Sequence, residues 1–251
     1  MSLAKPRTFT LFDMTINNDS MEEAVERVLC PRKQTSTKTA SFVNVNTVNL
    51  AKKHTELTDA VNDCDLVFAD GSGIRLAAKR KGVELRDNVN GTDLLPVLCE
   101  KAALANKKIF LLGAAPGVAE QTANNLEATF ANLEIAGTHH GYFDKQNCDR
   151  VIELIRHSGA DILLVAFGSP IQELWLQENR DRLSVDVALA VGGLFDFYSG
   201  RIPRAPQWMR SQGIEWVWRL MQEPKKKFHR YVIGNPAFLW RCFFQLNKVS
   251  Q

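Results

Sequence analysis

One alternation restricts this chain more than any other feature. Short apolar runs at Ala40–Val45, Leu66–Ala69, Ile109–Leu112, Leu133–Ala136, Ile162–Phe167 and Val187–Val191 read as strands. Between and after them lie stretches of helical period at Val48–His54, Ile74–Lys81, Thr92–Asn106, Gly117–Ala131, Cys148–His157 and Ile171–Leu183. Near-continuous apolar runs suit strands covered on both faces. Strand, helix, strand repeated in this way predicts an α/β fold with a doubly wound, mostly parallel sheet and right-handed crossovers. Ahead of it, Arg7–Asn17 reads as a hairpin, and Ser20–Leu29 as a helix capped by Asp19 or Ser20 with Glu22 and Glu23 in its first turn.

After about Ser199 the period changes. Pro206–Gln222 and Pro224–Asn247 read as amphipathic helices, with Pro236 a candidate break in the second. They carry Trp208, Trp216, Trp218, Phe228, Tyr231, Phe238, Trp240, Phe243 and Phe244 beside basic residues. The expected division is an α/β domain at 1–199 and a helical appendage at 200–251. With 251 residues, 45% of them hydrophobic, the chain can bury a core of that size.

The net charge of +3 hides an asymmetry. From Arg201 to Gln251, ten lysines and arginines stand against Glu215 and Glu223, leaving 21 basic against 26 acidic residues before them. A basic tail on an acidic body suggests an anionic partner such as a nucleotide diphosphate, nucleic acid or anionic lipid. From charge alone, a solvated face over buried aromatics and a helix pair lying on an anionic membrane both remain open. No nucleic-acid-binding motif accompanies the charge.

Several classes lose support. The longest apolar run, Val187–Phe195, falls far short of the roughly 20 residues of a spanning helix. Met1–Thr10 has no apolar export segment, so a cytoplasmic location is expected. The five cysteines (Cys30, Cys64, Cys99, Cys148 and Cys242) are scattered without a C-x-x-C pair, which predicts reduced, buried thiols rather than a disulfide framework or zinc site. His139 and His140 have no acidic or histidine spacing around them that would complete a metal site. Asp63-Cys64-Asp65 looks like the D-x-D of metal-dependent sugar transferases, but it precedes its strand and so belongs at the wrong sheet edge.

Ligands of open parallel sheets bind beyond the carboxyl ends of the strands. Here those ends carry Asn44-Val45-Asn46-Thr47, Asp70-Gly71-Ser72-Gly73, Gly113–Gly117, Gly141-Tyr142-Phe143, Gly168–Glu173 and Gly192-Gly193. Their convergence on one edge implies a pocket. Gly113–Gly117 suits either backbone approach to a phosphate or a plain turn. It is neither G-x-G-x-x-G nor G-x-x-x-x-G-K-[ST], which removes the specific support for a nicotinamide oxidoreductase or a P-loop NTPase. Asp70 is either a partly desolvated general base or the cap of the next helix.

Eight motifs in fixed order are specific together: Phe68–Gly73, Asn90-Gly91-Thr92-Asp93, Leu111-Leu112-Gly113, His140–Phe143, Phe167–Glu173, Val191-Gly192-Gly193, Arg201-Ile202-Pro203-Arg204-Ala205-Pro206 and Glu215–Leu220. On these residues the chain resembles the WecG/TagA/CpsF family of bacterial glycosyltransferases (family 26) over most of its length. The fold expected is thus Rossmann-like, with a C-terminal basic amphipathic helical appendage. The resemblance implies a metal-independent, cofactor-free, inverting transfer of a sugar from a UDP donor to a polyprenyl-diphosphate-linked saccharide. Its place would be the cytoplasmic face of the membrane, in surface or exopolysaccharide assembly.

By the same resemblance, Asp70 matches the base that deprotonates the acceptor, while Asn44, Asn46 and Gln172 would hold sugar and acceptor in line. Gly113, Ala114, Gly141, Tyr142, Phe167, Gly168, Gly192 and Gly193 would line the UDP-sugar site with Gln172. Arg201, Arg204, Arg219 and Arg230 would steady the leaving diphosphate as the appendage closes over the site on an anionic membrane. Nucleic acid is not implied as a partner, and a homo-oligomer is left open. Many relatives carry Thr in place of Asn44 and Arg-Val in place of Asn88-Val89. Arg86 and Arg75 are candidates to replace that arginine, and the donor sugar stays open among N-acetylmannosamine, its uronic acid and glucose.

Overall fold

The computed structural model describes residues 7–31 and 36–246. Its first half runs β1 (Thr8–Leu11), β2 (Met14–Asn17), α1 (Met21–Leu29), β3 (Lys38–Val43), α2 (Val45–Ala51), α3 (Thr55–Asn62), β4 (Leu66–Ala69), α4 (Ser72–Arg80) and α5 (Gly91–Leu104). It continues through β5 (Lys108–Gly113), α6 (Val118–Thr129), β6 (Glu134–His139), α7 (Asp149–Ser158), β7 (Ile162–Ala166), α8 (Ile171–Asn179), β8 (Val187–Ala190) and α9 (Leu194–Tyr198). The appendage comprises α10 (Gln207–Ser211), α11 (Glu215–Gln222), α12 (Pro224–Phe228), a π-helical turn at His229–Ile233 and α13 (Gly234–Phe244). The ends of the expected second appendage helix and of the basic tail, 247–251, lie outside the described residues.

The strands form one eight-stranded sheet in the order β1-β2-β4-β3-β8-β7-β5-β6. Every pairing is parallel except the β1–β2 hairpin, which joins the parallel part at Asn17 beside Phe68. Alternating side chains sort the sheet into two faces. Ile109, Leu111, Ile162, Leu164, Val187 and Leu189 point into a core covered by α1, α5, α6 and α9. Phe110, Leu112, Leu163, Val165, Ala188 and Ala190 point the other way, under α7 and α8. The same second face continues at β3 and β4 with Val43, Val67 and Ala69 beneath α2, α3 and α4.

Local chemistry explains several element ends. Ser20 caps α1 through a reciprocal box with Glu23, satisfying two of the N–H groups a helix start leaves free. Pro96 sits inside α5 and cannot donate to the carbonyl one turn back; the Tyr198 hydroxyl donates to that Thr92 oxygen at 2.7 Å. At the amino-terminal edge of the sheet, Lys107 bridges Asp161 and Asp186 at 2.7 and 2.9 Å. Arg180 binds Asp63 and Asp65 there at 3.3 and 2.9 Å, so the D-x-D pair is structural and faces away from the carboxyl edge.

The structure departs from the apolar pattern in four places. α3 buries only Leu57, Ala60 and Val61, a stripe too thin to stand out. The run Val187–Phe195 divides into β8 and α9 because Gly192 turns the chain at φ +58°. The first appendage helix is broken between α10 and α11, where Gly213 has φ +70°. Pro236 does not break the second helix: it is the third residue of α13, and the irregularity sits just before it in the π-helical turn. Of the cysteines, Cys99, Cys148 and Cys242 are buried, while Cys30 and Cys64 are half-buried; all five are free.

The last helix belongs to the core. Phe238, Cys242 and Leu246 are buried with Leu11, Met14, Val48 and Ile74. Asn49 donates to the Gly234 carbonyl at 2.8 Å, and the Arg80 guanidinium lies 4.2 Å over the Phe243 ring. Phe238→Ala is therefore expected to lower stability by about 3–5 kcal/mol, whereas Trp240→Ala, on the exposed side, changes it by roughly 0.5 kcal/mol or less. Thermal denaturation of the two variants checks this; equal effects would mean that α13 packs no tighter on one side than on the other.

Candidate active site

Because the β3, β4, β5, β7 and β8 strands run in parallel, their following loops meet at one edge. Together with the appendage they enclose a cleft of about 1090 Å³. Asn44, Asn46, Asp70 and Gln172 all line it, as do Ala114, Gly141, Tyr142, Phe167, Gly168, Gly192, Gly193, Arg201 and Arg219. Gly113 and Arg204 do not. Gly113 ends β5 at φ +140°, where a Cβ would lie 2.5 Å from the Ala166 carbonyl oxygen, so it lets two strands close up behind the cleft wall. Arg204 is held by Asp93 at 2.8 Å and Glu215 at 3.6 Å, which ties the start of α5 to α11 instead of facing the cavity.

Asp70 follows β4 on the cleft floor. Its Oδ2 accepts from Asn44 Nδ2 at 3.0 Å. The other end of Asn44 is engaged too: Oδ1 accepts from the Asn46 and Thr47 N–H groups at 3.0 and 3.1 Å, capping α2. One side chain thus fixes a helix start and aims a carboxylate. The Gly71 N–H donates to Asn88 Oδ1 at 2.6 Å, so Asn88 fastens the loop on the other side of Asp70. Asp70 does not cap α4, whose N-cap is Gly71 with no side-chain bond.

Burial pushes the Asp70 carboxyl above the usual aspartate range; the Asn44 bond and the charge of Arg230 oppose this, and Glu215 and Asp93 reinforce it. The cation whose charge acts on Asp70 is Arg230, which lines the cleft from the π-helical turn. Arg86 pairs with Glu23, Arg75 is exposed, and neither lines the cleft.

The glycine loops form the opposite wall. Gly141 approaches Ala114 closely, its N–H donating to the Ala114 carbonyl at 2.8 Å. Gln172 lines this wall, but its amide is occupied at both ends by protein groups, so it braces the loops. The roof comes from the appendage. Arg219, 92% buried by its side-chain exposure of 8%, binds Asp196 at 3.1 Å and Glu223 at 3.2 Å, and lies 4.6 Å over the Phe197 ring. Its Nη1 is buried without a hydrogen-bond partner. Lys226, Lys227 and Arg230 extend this basic surface; burial, then the charges of Arg230 and Arg219, hold the Lys227 ammonium below the usual lysine range.

Sequence reasoning missed Lys145, Lys226 and Lys227 as cleft residues. Lys145 Nζ lies 3.7 and 4.3 Å over the rings of Phe143 and Phe167 and donates to the Phe143 carbonyl at 3.0 Å. Its signal was faint: a single lysine two residues beyond an aromatic. Lys226 and Lys227 sit in a basic run that reads equally as solvated surface.

With this geometry in hand, comparison with known families is informative: the model described as Glycosyl transferase WecG/TagA/CpsF family matches residues 9–251.

The raised Asp70 carboxyl carries a sign for stability. A proton held more tightly in the folded chain means that ionising Asp70 costs stability once the pH exceeds the unfolded value of 3.8. Asp70→Asn is expected to melt above the wild type at about pH 8 and to lose that advantage at about pH 3.5. Melting curves at the two pH values measure it, and coincident curves at the higher pH would refute the burial argument.

Proposed function

The chain belongs to the WecG/TagA/CpsF family of glycosyl transferases, enzymes of cell-surface polysaccharide biosynthesis, and from that premise we propose its reaction. A sugar of the N-acetylmannosamine, N-acetylmannosaminuronic acid or glucose type passes with inversion from a UDP donor to a polyprenyl-diphosphate-linked saccharide. The observation that carries this reading is a half-buried carboxylate on the floor of a cleft whose roof is cationic.

A neutral hydroxyl is a poor nucleophile. Asp70, with its carboxyl raised toward the working pH, takes the acceptor proton as the oxygen attacks the anomeric carbon from the face opposite the diphosphate. The glycosidic bond forms, the bond to the diphosphate breaks, and UDP leaves with the electron pair. A single displacement inverts the centre. Asn44 aims Asp70, and Asn46 lies beside it for contact with the sugar or acceptor. Charge that develops on the leaving group meets Arg201, Arg219, Lys227 and Arg230, which line the cleft. Gly168, Gly192 and Gly193 offer close backbone approach, and Tyr142, 74% exposed, offers a ring face to the uracil. No metal or cofactor has a part in this scheme.

The appendage, taken as the unit 200–251, covers the cleft and meets the membrane. Among the described residues no helix is long and apolar enough to cross a bilayer. Trp208, Phe228, Trp240 and Phe244 are all more than half exposed on these helices, beside Lys225, Lys226 and Arg241. Aromatic rings at the interface and cations against anionic headgroups support peripheral binding at the inner face of the cell membrane.

Two measurements test the proposal. UDP release from a panel of UDP-sugars, with a polyprenyl-diphosphate saccharide and EDTA present, should depend on acceptor and on one donor. Asp70→Asn should then turn over ~10²–10⁴-fold more slowly while still binding UDP, and unchanged turnover would remove Asp70 from the chemistry. In sedimentation with anionic vesicles, Trp240→Ser/Phe244→Ser should leave protein in the supernatant that the wild type carries down. Equal sedimentation would place the membrane contact elsewhere.

A further inference from the structure

Behind the glycine wall lies a carboxyl group that the proposed reaction does not use. Glu173, 1% exposed, accepts on Oε1 from Ser169 Oγ at 2.7 Å and from Gln172 Nε2 at 2.9 Å. Gln172 Oε1 in turn accepts from the N–H groups of Gly168 at 3.1 Å and Gly192 at 2.9 Å. One amide oxygen therefore joins the loop after β7 to the loop after β8. Both glycines have positive φ, +84° and +58°, and both line the cleft.

A carboxamide can present either end. Flipped, Gln172 would set its own NH₂ against two N–H donors, and the junction would open. What holds it the right way round is the acceptor at its far end, since Glu173 Oε1 can only receive a proton from Nε2. Glu173 Oε2 and, toward it on β3, Ser41 Oγ are both buried without a hydrogen-bond partner. None of the groups acting most strongly on Glu173 is a cation, and burial raises its carboxyl above the usual glutamate range. A neutral acid fits this setting: the carbonyl oxygen serves the two donors, and the hydroxyl is left for the Ser41 side.

We infer that Glu173 is a positioning residue, which sets the orientation of Gln172 and through it the spacing of the Gly168 and Gly192 loops that hold the donor. The link to a donor rests on the UDP reading above; the clamp itself does not.

The experiment pairs titration of UDP into the purified protein with amide hydrogen exchange at Gly168 and Gly192. Glu173→Gln keeps the acceptor oxygen and mimics the neutral acid; it should bind UDP within about threefold of the wild type. Glu173→Leu removes the acceptor, and Glu173→Asp keeps the carboxyl group but withdraws the oxygen by one methylene. Both should weaken UDP by about tenfold or more and speed exchange at the two glycines, while strand amides in β3 stay protected. Should Glu173→Leu fail to fold, Glu173→Asp carries the test. Wild-type affinity and protected glycines in Glu173→Asp would overturn the inference. A wild type that binds no UDP would sink the donor reading, and the exchange pattern alone would then decide the clamp.

Discussion

Parallel pairing imposes one requirement from which most of this molecule follows: each strand must be re-entered from the same end, so each connection crosses a face of the sheet. The crossing helices bury both faces, and the buried strands need to be apolar throughout. The connections also deliver every strand's following loop to a single edge, with helix starts turned toward it. Asn44, Asp70, Gly168 and Gly192 lie in different parts of the chain but follow four strands of one sheet. Their meeting is a consequence of how parallel strands must be joined.

That edge would be an open groove without the appendage. α13 inserts Phe238 and Cys242 into the core beside β1, β2, α2 and α4, and Leu246 just after it joins them, which anchors this end of the appendage. The stretch before it is suspended over the cleft by ion pairs, Arg204 to Asp93 and Arg219 to Asp196, and by the Ser72 hydroxyl on the Gly213 carbonyl at 2.9 Å. Apolar packing fixes where the roof is attached. Charge decides what it presents, because a cationic surface above a carboxylate needs an anion between them or acids around it. Asp196, Glu215 and Glu223 fill the second role.

The site also shows the cost of keeping polar groups out of water. Asp70 is held half-buried with a single side-chain bond, and Glu173 is buried with one oxygen satisfied and the other not. Buried polar groups with incomplete partners destabilise a fold by roughly 1–3 kcal/mol each, and they persist where the arrangement serves something else. Here one aims at the cleft and the other steadies its wall.

Most of the sheet was legible because burial on two faces leaves a continuous apolar signature, and the strand-end motifs were legible because turns at that edge need glycine and capping residues. α3 and α9 were not: a short helix with three buried residues, or one merged into a strand's apolar run, has no period long enough to read. The residue types at the site, Asp70 and the two asparagines before it, were determined by the sequence alone, as was the family to which the motifs belong. Only the tertiary structure decided that Arg230 rather than Arg86 or Arg75 shares the cleft with Asp70, that Arg204 is a tie and not a cleft residue, and that Gln172 spends its amide on two backbone N–H groups and Glu173. Each of these depends on which groups the fold brings to the cleft and on what those groups already bind there. A local pattern carries no information about a charge felt between residues 160 apart, because folding alone brings them to one cleft.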